Sequence, residues 1–358
     1  MSIPHIYSLS HSLAHSRTRI LGDTKVNHAL DSKITRESQW SNKKSTVCSA
    51  QSEYNKAHSE HVYSIEEKLP AKVKETIKKN MAKDQDAKHL SHTQTLVKQG
   101  NLLSIAALEK SDAIWKSYIF DMKKGTMKFL LNACLDTLPT RANLLQWGKT
   151  TSDLCTLCLG ANQDLQGRRK ETTHHILNGC KVSLDQQRYT WRHDNILKYI
   201  CESVDKEKYQ LNADIAGYSL PGGGTISPDY CVTPERPDIV IHDRQTKELL
   251  VFELTVPFET NISAANTRKN EKYSHLITDN TSADVKLIPF EIGSRGYISE
   301  DNKNKLKFLF KYCSKKEATC QTFIKNISAI SLYSSYYIFI QRNSQDWDPH
   351  LPPIGKVF

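Results

Sequence analysis

The chain has 358 residues, 38% of them hydrophobic, with a formal charge of +10 and a mean hydropathy of −0.54. That length holds about two domains, and no apolar run approaches the ~18 residues that would mark a membrane span, which excludes an integral membrane class. Nine cysteines, an odd number with no secretory signal ahead of them, argue for a reducing compartment rather than a disulfide framework, and the positive excess is compatible with phosphate contacts without being diagnostic of them.

Residues 1–84 are rich in Ser, His, Asn and Lys with few periodic apolar positions, which predicts a polar, disordered tail with at most a short basic helix near Ser64 to Lys83. From 85 to 150 the pattern turns helical. Ile105, Leu108, Trp115, Tyr118, Phe120, Met127, Phe129, Leu130 and Ala133 recur at helical spacing, the turn Thr137 to Thr140 with Pro139 closes one unit, and Arg141 to Trp147 begins another. Residues 151–200 hold a cysteine-histidine segment and a helix that mixes cations with aromatics. In 201–300, Ala213 to Tyr218 reads as a first strand, Pro221-Gly-Gly-Gly224 as a mobile loop, and Val285 to Ile292 as a later strand. The last segment, 301–358, reads as one or two core-facing helices, from Leu306 to Phe339, and a loose end broken by Pro349 and Pro352-Pro353.

Between those strands, Asp238-Ile-Val-Ile-His-Asp and Glu248-Leu-Leu-Val-Phe-Glu253-Leu-Thr-Val flank the polar turn Arg244 to Lys247. Folded about Gln245 and Thr246, this hairpin sets Asp238 opposite Glu253. Directly opposed Cβ atoms lie roughly 4.5–5.5 Å apart, so two carboxylates there call for a positive charge between them; a hard divalent cation such as Mg²⁺ meets that need. The plain alternative is two outward, solvated carboxylates, but Glu253 lies in a run apolar enough to be buried on both faces. The next helix, from about Asn261 to Asp279, carries Lys269, Lys272, Tyr273 and Leu276 on one face. A lysine near a metal-held phosphate can steady the attacking water or the developing charge; spacing alone does not choose between Lys269 and Lys272, and a solvated stripe is the competing reading.

Upstream, Cys155-x2-Cys158 and, after an insertion, His174, His175 and Cys180 offer four N/S ligands suited to tetrahedral Zn²⁺, with either histidine eligible. Buried, reduced cysteines are the alternative. Beyond them, Arg188-Tyr-Thr-Trp-Arg-His-Asp-Asn195 can hold a nucleic-acid backbone through Arg188, Arg192 and His193 and stack a base on Trp191. Equally, Tyr189, Trp191, Ile196 and Tyr199 can pack the helix while the cations face water.

The hairpin and helix together resemble the PD-(D/E)-x-K nuclease core, and more narrowly the restriction-like endonuclease of early-branching, often site-specific, non-LTR retrotransposons. The resemblance rests on Arg236-Pro-Asp-Ile-Val-Ile, Phe252-Glu-Leu-Thr-Val-Pro-Phe-Glu259, Arg268-Lys-Asn-Glu-Lys-Tyr273 and Pro289-Phe-Glu-Ile-Gly-Ser-Arg-Gly296, and on the helical stretch Gly125 to Trp147. Position +2 from Glu253 is Thr255 rather than lysine, so the general motif fails there. In the retrotransposon variant the lysine sits on the next helix in a Lys-x-x-x-Tyr pattern, which selects Lys269 and Tyr273 and leaves Lys272 to binding. That family carries a C-C-H-C knuckle just before the nuclease, which selects His175 over His174.

The resemblance implies an α+β fold: a restriction-like mixed sheet flanked by helices, preceded by a helical linker and the zinc knuckle. It implies a Mg²⁺-dependent endonuclease that nicks duplex DNA, with Asp238 and Glu253 as magnesium ligands, Lys269 and Tyr273 completing the catalytic set, and Cys155, Cys158, His175 and Cys180 holding structural Zn²⁺. Arg188, Trp191, Arg192, His193 and Lys272 are the expected nucleic-acid contacts. In the family the nick primes reverse transcription, so the element's RNA is a second candidate partner, and nuclear location follows from the substrate, with the cytoplasm otherwise. No paired-aspartate polymerase turn occurs, so the chain is expected to be the C-terminal part of such a protein, as a fragment, a decayed copy or a retained derivative. The alternative function is a zinc-containing nucleic-acid-binding module whose nuclease is inert.

Overall fold

A computed structural model of the chain describes residues 71–96, 114–160, 169–215, 236–246, 248–278, 285–313 and 319–348. The chain divides into two units after Thr95. The described part of the first is one helix, α1 (Ala71–Thr95). Helix-forming Ala, Lys, Glu, Gln and Met run unbroken through it with no internal Gly or Pro. It therefore crosses the boundary expected after residue 84; most of the predicted tail and the Gly-rich loop at 221–224 lie outside the described residues.

In the second unit the first described elements are two short 3₁₀ turns, Ile114–Ser117 and Ile119–Asp121, where a longer helix was expected. Their alternation buries Trp115, Tyr118 and Ile119 but leaves Phe120, one of the positions at helical spacing, 76% exposed. Helices α2 (Lys124–Cys134) and α3 (Arg141–Gln146) follow, with the Thr140 hydroxyl capping α3 by accepting from the Asn143 N–H. Then come α4 (Thr156–Gly160), a π-helical turn (His175–Gly179), α5 (Lys181–Asp185) and α6 (Arg188–Ser203).

A four-stranded sheet of order β1-β2-β3-β4 is built from Tyr209–Ala213, Ile239–Asp243, Leu249–Thr255 and Val285–Glu291. The first three strands are antiparallel neighbours, while β4 runs parallel to β3 and is reached through the crossover helix α7 (Ile262–Thr278). The first strand ends where the sequence reading began it. Its alternation of Tyr209, Leu211 and Ala213 with Gln210 and Asn212 is a half-buried pattern. One sheet face, with Ile239, Ile241, Phe252, Leu254 and Phe290, packs on α6, α8 (Glu300–Cys313) and α9 (Cys320–Ile340). The C-terminal helices thus share one hydrophobic core with the sheet. The other face, with Val240, Leu249 and Val251, packs on Tyr273 of α7. Among the described residues no helix is long and apolar enough to cross a membrane.

Helix α9 is apolar but carries a stripe of serines, and the turn Gly293 to Gly296 explains it. This turn is buried, so each backbone carbonyl needs a donor. Ser331 donates to Gly293 O, Ser335 to Ser294 O, Trp115 Nε1 to Arg295 O and Ser328 to Gly296 O. Gly296 has φ +79°, and a Cβ there would meet the Ser328 carbonyl at 2.6 Å. The Arg295 side chain is buried against Glu259, with Nε 2.7 Å from Oε2, and a Cβ at Gly293 would strike that same carboxylate. The segment singled out as Pro289 to Gly296 is therefore a structural keystone between sheet and helices.

Candidate active site and metal centre

Strands β2 and β3 pair Ile239 with Phe252 and Val240 with Val251. Continued by one residue, this register sets Asp238 against Glu253, as folding about Gln245 and Thr246 requires. Each carboxylate is held by the backbone of the opposite strand: the Asp238 N–H donates to Glu253 Oε1 at 3.0 Å, and Asp238 Oδ2 accepts from the Leu254 N–H at 2.7 Å. Glu253 is completely buried, while the Asp238 side chain keeps 17% exposure. The pair therefore presents one open edge at the end of the sheet.

Helix α7 brings Lys269 over this edge. Its ammonium lies 2.5 Å from Glu253 Oε2 and 3.8 Å from Asp238 Oδ2. Burial and the neighbouring Asp238 charge push the Glu253 carboxyl up, and Lys269 offsets this only in part. Burial pushes Asp238 up as well, but His193 and Lys269 outweigh it and hold that carboxyl below its ordinary value. Two close carboxylates, one with no exposure, are a donor set that could take a divalent cation. Tyr273, one turn beyond Lys269, is buried. Its ring underlies the Lys269 ammonium at 5.6 Å, and its hydroxyl bonds Lys272 Nζ at 2.9 Å and also reaches Glu253. Lys272 is exposed beyond the ring, so the two lysines that share a helical face in sequence differ in reach. The side chain of Leu276 lies outside the described residues.

His193, expected to contact nucleic acid, is instead placed at the carboxylate pair. Its Nε2 lies 3.4 Å from Asp238 Oδ2 and its Nδ1 3.2 Å from Asp194 Oδ1. Burial works against the imidazolium, but the two carboxylates prevail and raise its pKa to about 9. Sequence spacing had no means of finding this contact, because it joins α6 to the start of a strand 45 residues away.

The expectation for Arg188 and Arg192 is corrected. Both are buried, and their guanidinium groups bond inside the protein, with only the Arg192 Nε lacking a partner among the described residues. Arg188 bonds the carbonyls of Gln341 and Ser344 and stacks on Trp347; Arg192 bonds the Leu177 and Val256 carbonyls and the Ser335 hydroxyl. Trp191 is half-buried between the rings of Tyr337 and Trp347. The helix is read correctly neither as a cationic surface nor as one with its arginines in water. Guanidinium groups can serve as carbonyl clamps where segments converge, and here they join α6, the knuckle, the end of β3 and α9. Arg192→Ala should lower stability by about 3 kcal/mol or more, because three buried acceptors lose a charged donor at roughly 1–3 kcal/mol each. Urea denaturation measures it, and an unchanged midpoint would contradict the clamp.

The cysteine-histidine segment closes around a single point. The Sγ atoms of Cys155, Cys158 and Cys180 and a ring nitrogen of His175 all lie within 4.8 Å of one another, and all four residues are buried. Cys158 Sγ is 3.6 Å from Cys180 Sγ and 3.5 Å from His175 Nε2. Tetrahedral ligands about 2.1–2.3 Å from a zinc ion are separated by roughly 3.5–3.8 Å, so the set can hold a metal such as zinc. Sharing a hydrogen bond, Cys155 lowers the Cys180 thiol to about 3 while its own is pushed up, and burial raises Cys158 to about 11. Three crowded sulfurs carry one negative charge comfortably; a divalent cation permits all three to ionise. His174 takes no part, its ring packing edge-on against Phe258 at 4.9 Å. The loop is shaped by the Leu154–Lys170 bridge and by the Tyr189 hydroxyl, which accepts from the Cys180 N–H and donates to the Ile176 carbonyl. Asn178 bonds the Val256 carbonyl and so ties the knuckle to the strand that carries Glu253.

No protein-family model matches this chain, and no curated protein matches it.

Proposed function

We propose that the chain is a Mg²⁺-dependent endonuclease that nicks duplex DNA and carries a structural Zn²⁺ beside its nuclease sheet. The observation that carries this reading is the convergence of Asp238, Glu253 and Lys269 at one end of the two central strands of a mixed sheet. The apolar β-hairpin contributes both carboxylates and the crossover helix the lysine, and none is needed there for packing. Support also comes from the resemblance to retrotransposon restriction-like endonucleases, whose Lys-x-x-x-Tyr spacing coincides with the lysine that reaches the carboxylates.

Asp238 and Glu253 would hold the cation, which supplies charge stabilisation to the attacking and leaving oxygens of phosphodiester hydrolysis. The backbone bonds between these residues fix both carboxylates before substrate arrives, so little reorganisation is left for the reaction. Lys269 stands where its ammonium can orient water or hold charge on the phosphoryl oxygens. Tyr273 fills the space beneath Lys269 and keeps its stem directed at the sheet edge. Arg236, Arg268 and Lys272 are exposed on the elements around the pair and suit contacts to the DNA backbone. The Cys155, Cys158, His175 and Cys180 site would act by fixing the knuckle against β3.

The test is nicking of supercoiled plasmid in Mg²⁺, with Ca²⁺ as the control. Asp238→Ala should abolish nicking while DNA affinity stays within about 3-fold, because distributed phosphate contacts dominate affinity. Nicking by the variant at the parental rate would remove Asp238 from the catalytic set. Tight DNA binding with no nicking in any metal would make the chain an inert nucleic-acid-binding module instead.

A further inference from the structure

Helix α6 passes the start of β2 with His193 at its edge. The ring is fixed from both sides, Nδ1 3.2 Å from Asp194 Oδ1 and Nε2 3.4 Å from Asp238 Oδ2. The side chain is 24% exposed, close to the 17% of Asp238, so both reach the same opening while Glu253 lies behind them. An imidazole whose distal N–H is held by a carboxylate is the usual arrangement of a metal-bound histidine, since that bond selects the tautomer and directs the other nitrogen at the metal. With Nδ1 donating to Asp194, Nε2 faces a carboxylate oxygen, so an electrophile stands between the two atoms: a proton in the metal-free protein, whose place a metal ion can take. Two adjacent ligands about 2.1–2.2 Å from one octahedral cation are roughly 3.0 Å apart, so a shift of a few tenths of an ångström would let both atoms bind the same ion.

The geometry points to His193 as a third protein ligand of the cation that Asp238 and Glu253 hold, with Asp194 as the residue that positions it. This rests on reading the carboxylate pair as a metal site. Two carboxylates alone suit Mg²⁺ and Ca²⁺, whereas an added imidazole favours transition metals such as Mn²⁺ and Co²⁺. The centre should therefore bind Mn²⁺ more tightly than Mg²⁺ and use either for nicking.

The deciding measurement is electron spin echo envelope modulation of Mn²⁺ added to the zinc-loaded protein. Bound Mn²⁺ should show ¹⁴N modulation that changes to the ¹⁵N pattern in protein labelled with [¹⁵N]histidine, a comparison that needs no variant. The modulation should vanish in His193→Gln. Mn²⁺ affinity should fall there by about 10-fold or more, since even an outer-shell change around a metal costs about 10–100-fold. Bound Mn²⁺ without histidine modulation, or modulation that survives in His193→Gln, would overturn the ligation and leave the carboxylate site standing. Failure of Mn²⁺ to bind the parent protein, or binding unaffected by Asp238→Ala, would overturn the carboxylate site itself and His193 with it.

Discussion

Stripping the metal from the knuckle with a chelator, or replacing Cys158 with Ser or His175 with Ala, should release one Zn²⁺ and unfold the segment from about Asp153 to Cys180. Structural zinc contributes folding energy directly, about 10–16 kcal/mol in isolated finger peptides, and the apo segment has little to replace it. Its own apolar cluster is Leu157 and Val182 around the cysteines. The damage should not stay local. The Leu177 carbonyl is held by Arg192, Asn178 is bound to Val256 O, and the Tyr189 hydroxyl spans the Cys180 N–H and the Ile176 carbonyl, so the knuckle is tied to α6 and to the end of β3. Zinc content by plasma mass spectrometry and the urea midpoint should fall together in Cys158→Ser and His175→Ala. His174→Ala should keep its zinc, because that ring is engaged with Phe258 rather than with the sulfurs. Zinc lost from His174→Ala and retained by His175→Ala would reverse the ligand assignment.

What could be read from the sequence was what short-range spacing controls. The hairpin turn at Gln245 and Thr246 dictates which residues face each other across β2 and β3, so the Asp238–Glu253 opposition needed no tertiary information. The C-x2-C pair and the later histidine and cysteine declare their chemistry by residue type, and a run without Gly or Pro bounded α7 to within a residue or so of its observed ends. What could not be read was direction. Arg188, Trp191, Arg192 and His193 lie within six consecutive residues of one helix, and their composition is the same whether they face solvent or protein. The partners that decide it, Gln341, Ser344, Trp347, Leu177 and Asp238, come from other elements. The serine stripe of α9 was opaque for the same reason, since its partner is a buried turn 32 to 41 residues away. Half-buried β1 was misplaced because alternation over five residues is a weak signal.

Lys269→Ala should slow single-turnover nicking at saturating Mg²⁺ by at least about 100-fold, equivalent to about 2.7 kcal/mol of transition-state stabilisation, whereas Lys272→Ala should act mainly on binding. The two positions lie about 5 Å apart along the helix axis, yet only Lys269 is placed across the carboxylates. Its ammonium meets Glu253 Oε2 at 2.5 Å, while Lys272 Nζ meets the Tyr273 hydroxyl at 2.9 Å and its side chain is exposed. Removing Lys269 also leaves fully buried Glu253 beside Asp238 without its ammonium. The variant should therefore lose stability in metal-free buffer and regain part of it in Mg²⁺ or Mn²⁺, as a bound cation takes over the neutralising role. Lys272→Ala should show neither effect; losing one phosphate contact should flatten the dependence of log affinity on log salt by slightly less than one unit. Single-turnover rates, urea midpoints with and without metal, and salt slopes for both variants separate the roles. A rate loss in Lys272→Ala together with a salt effect alone in Lys269→Ala would exchange the two lysines, and a Lys269→Ala protein equally stable with and without divalent cation would break the link between the ammonium and the metal site.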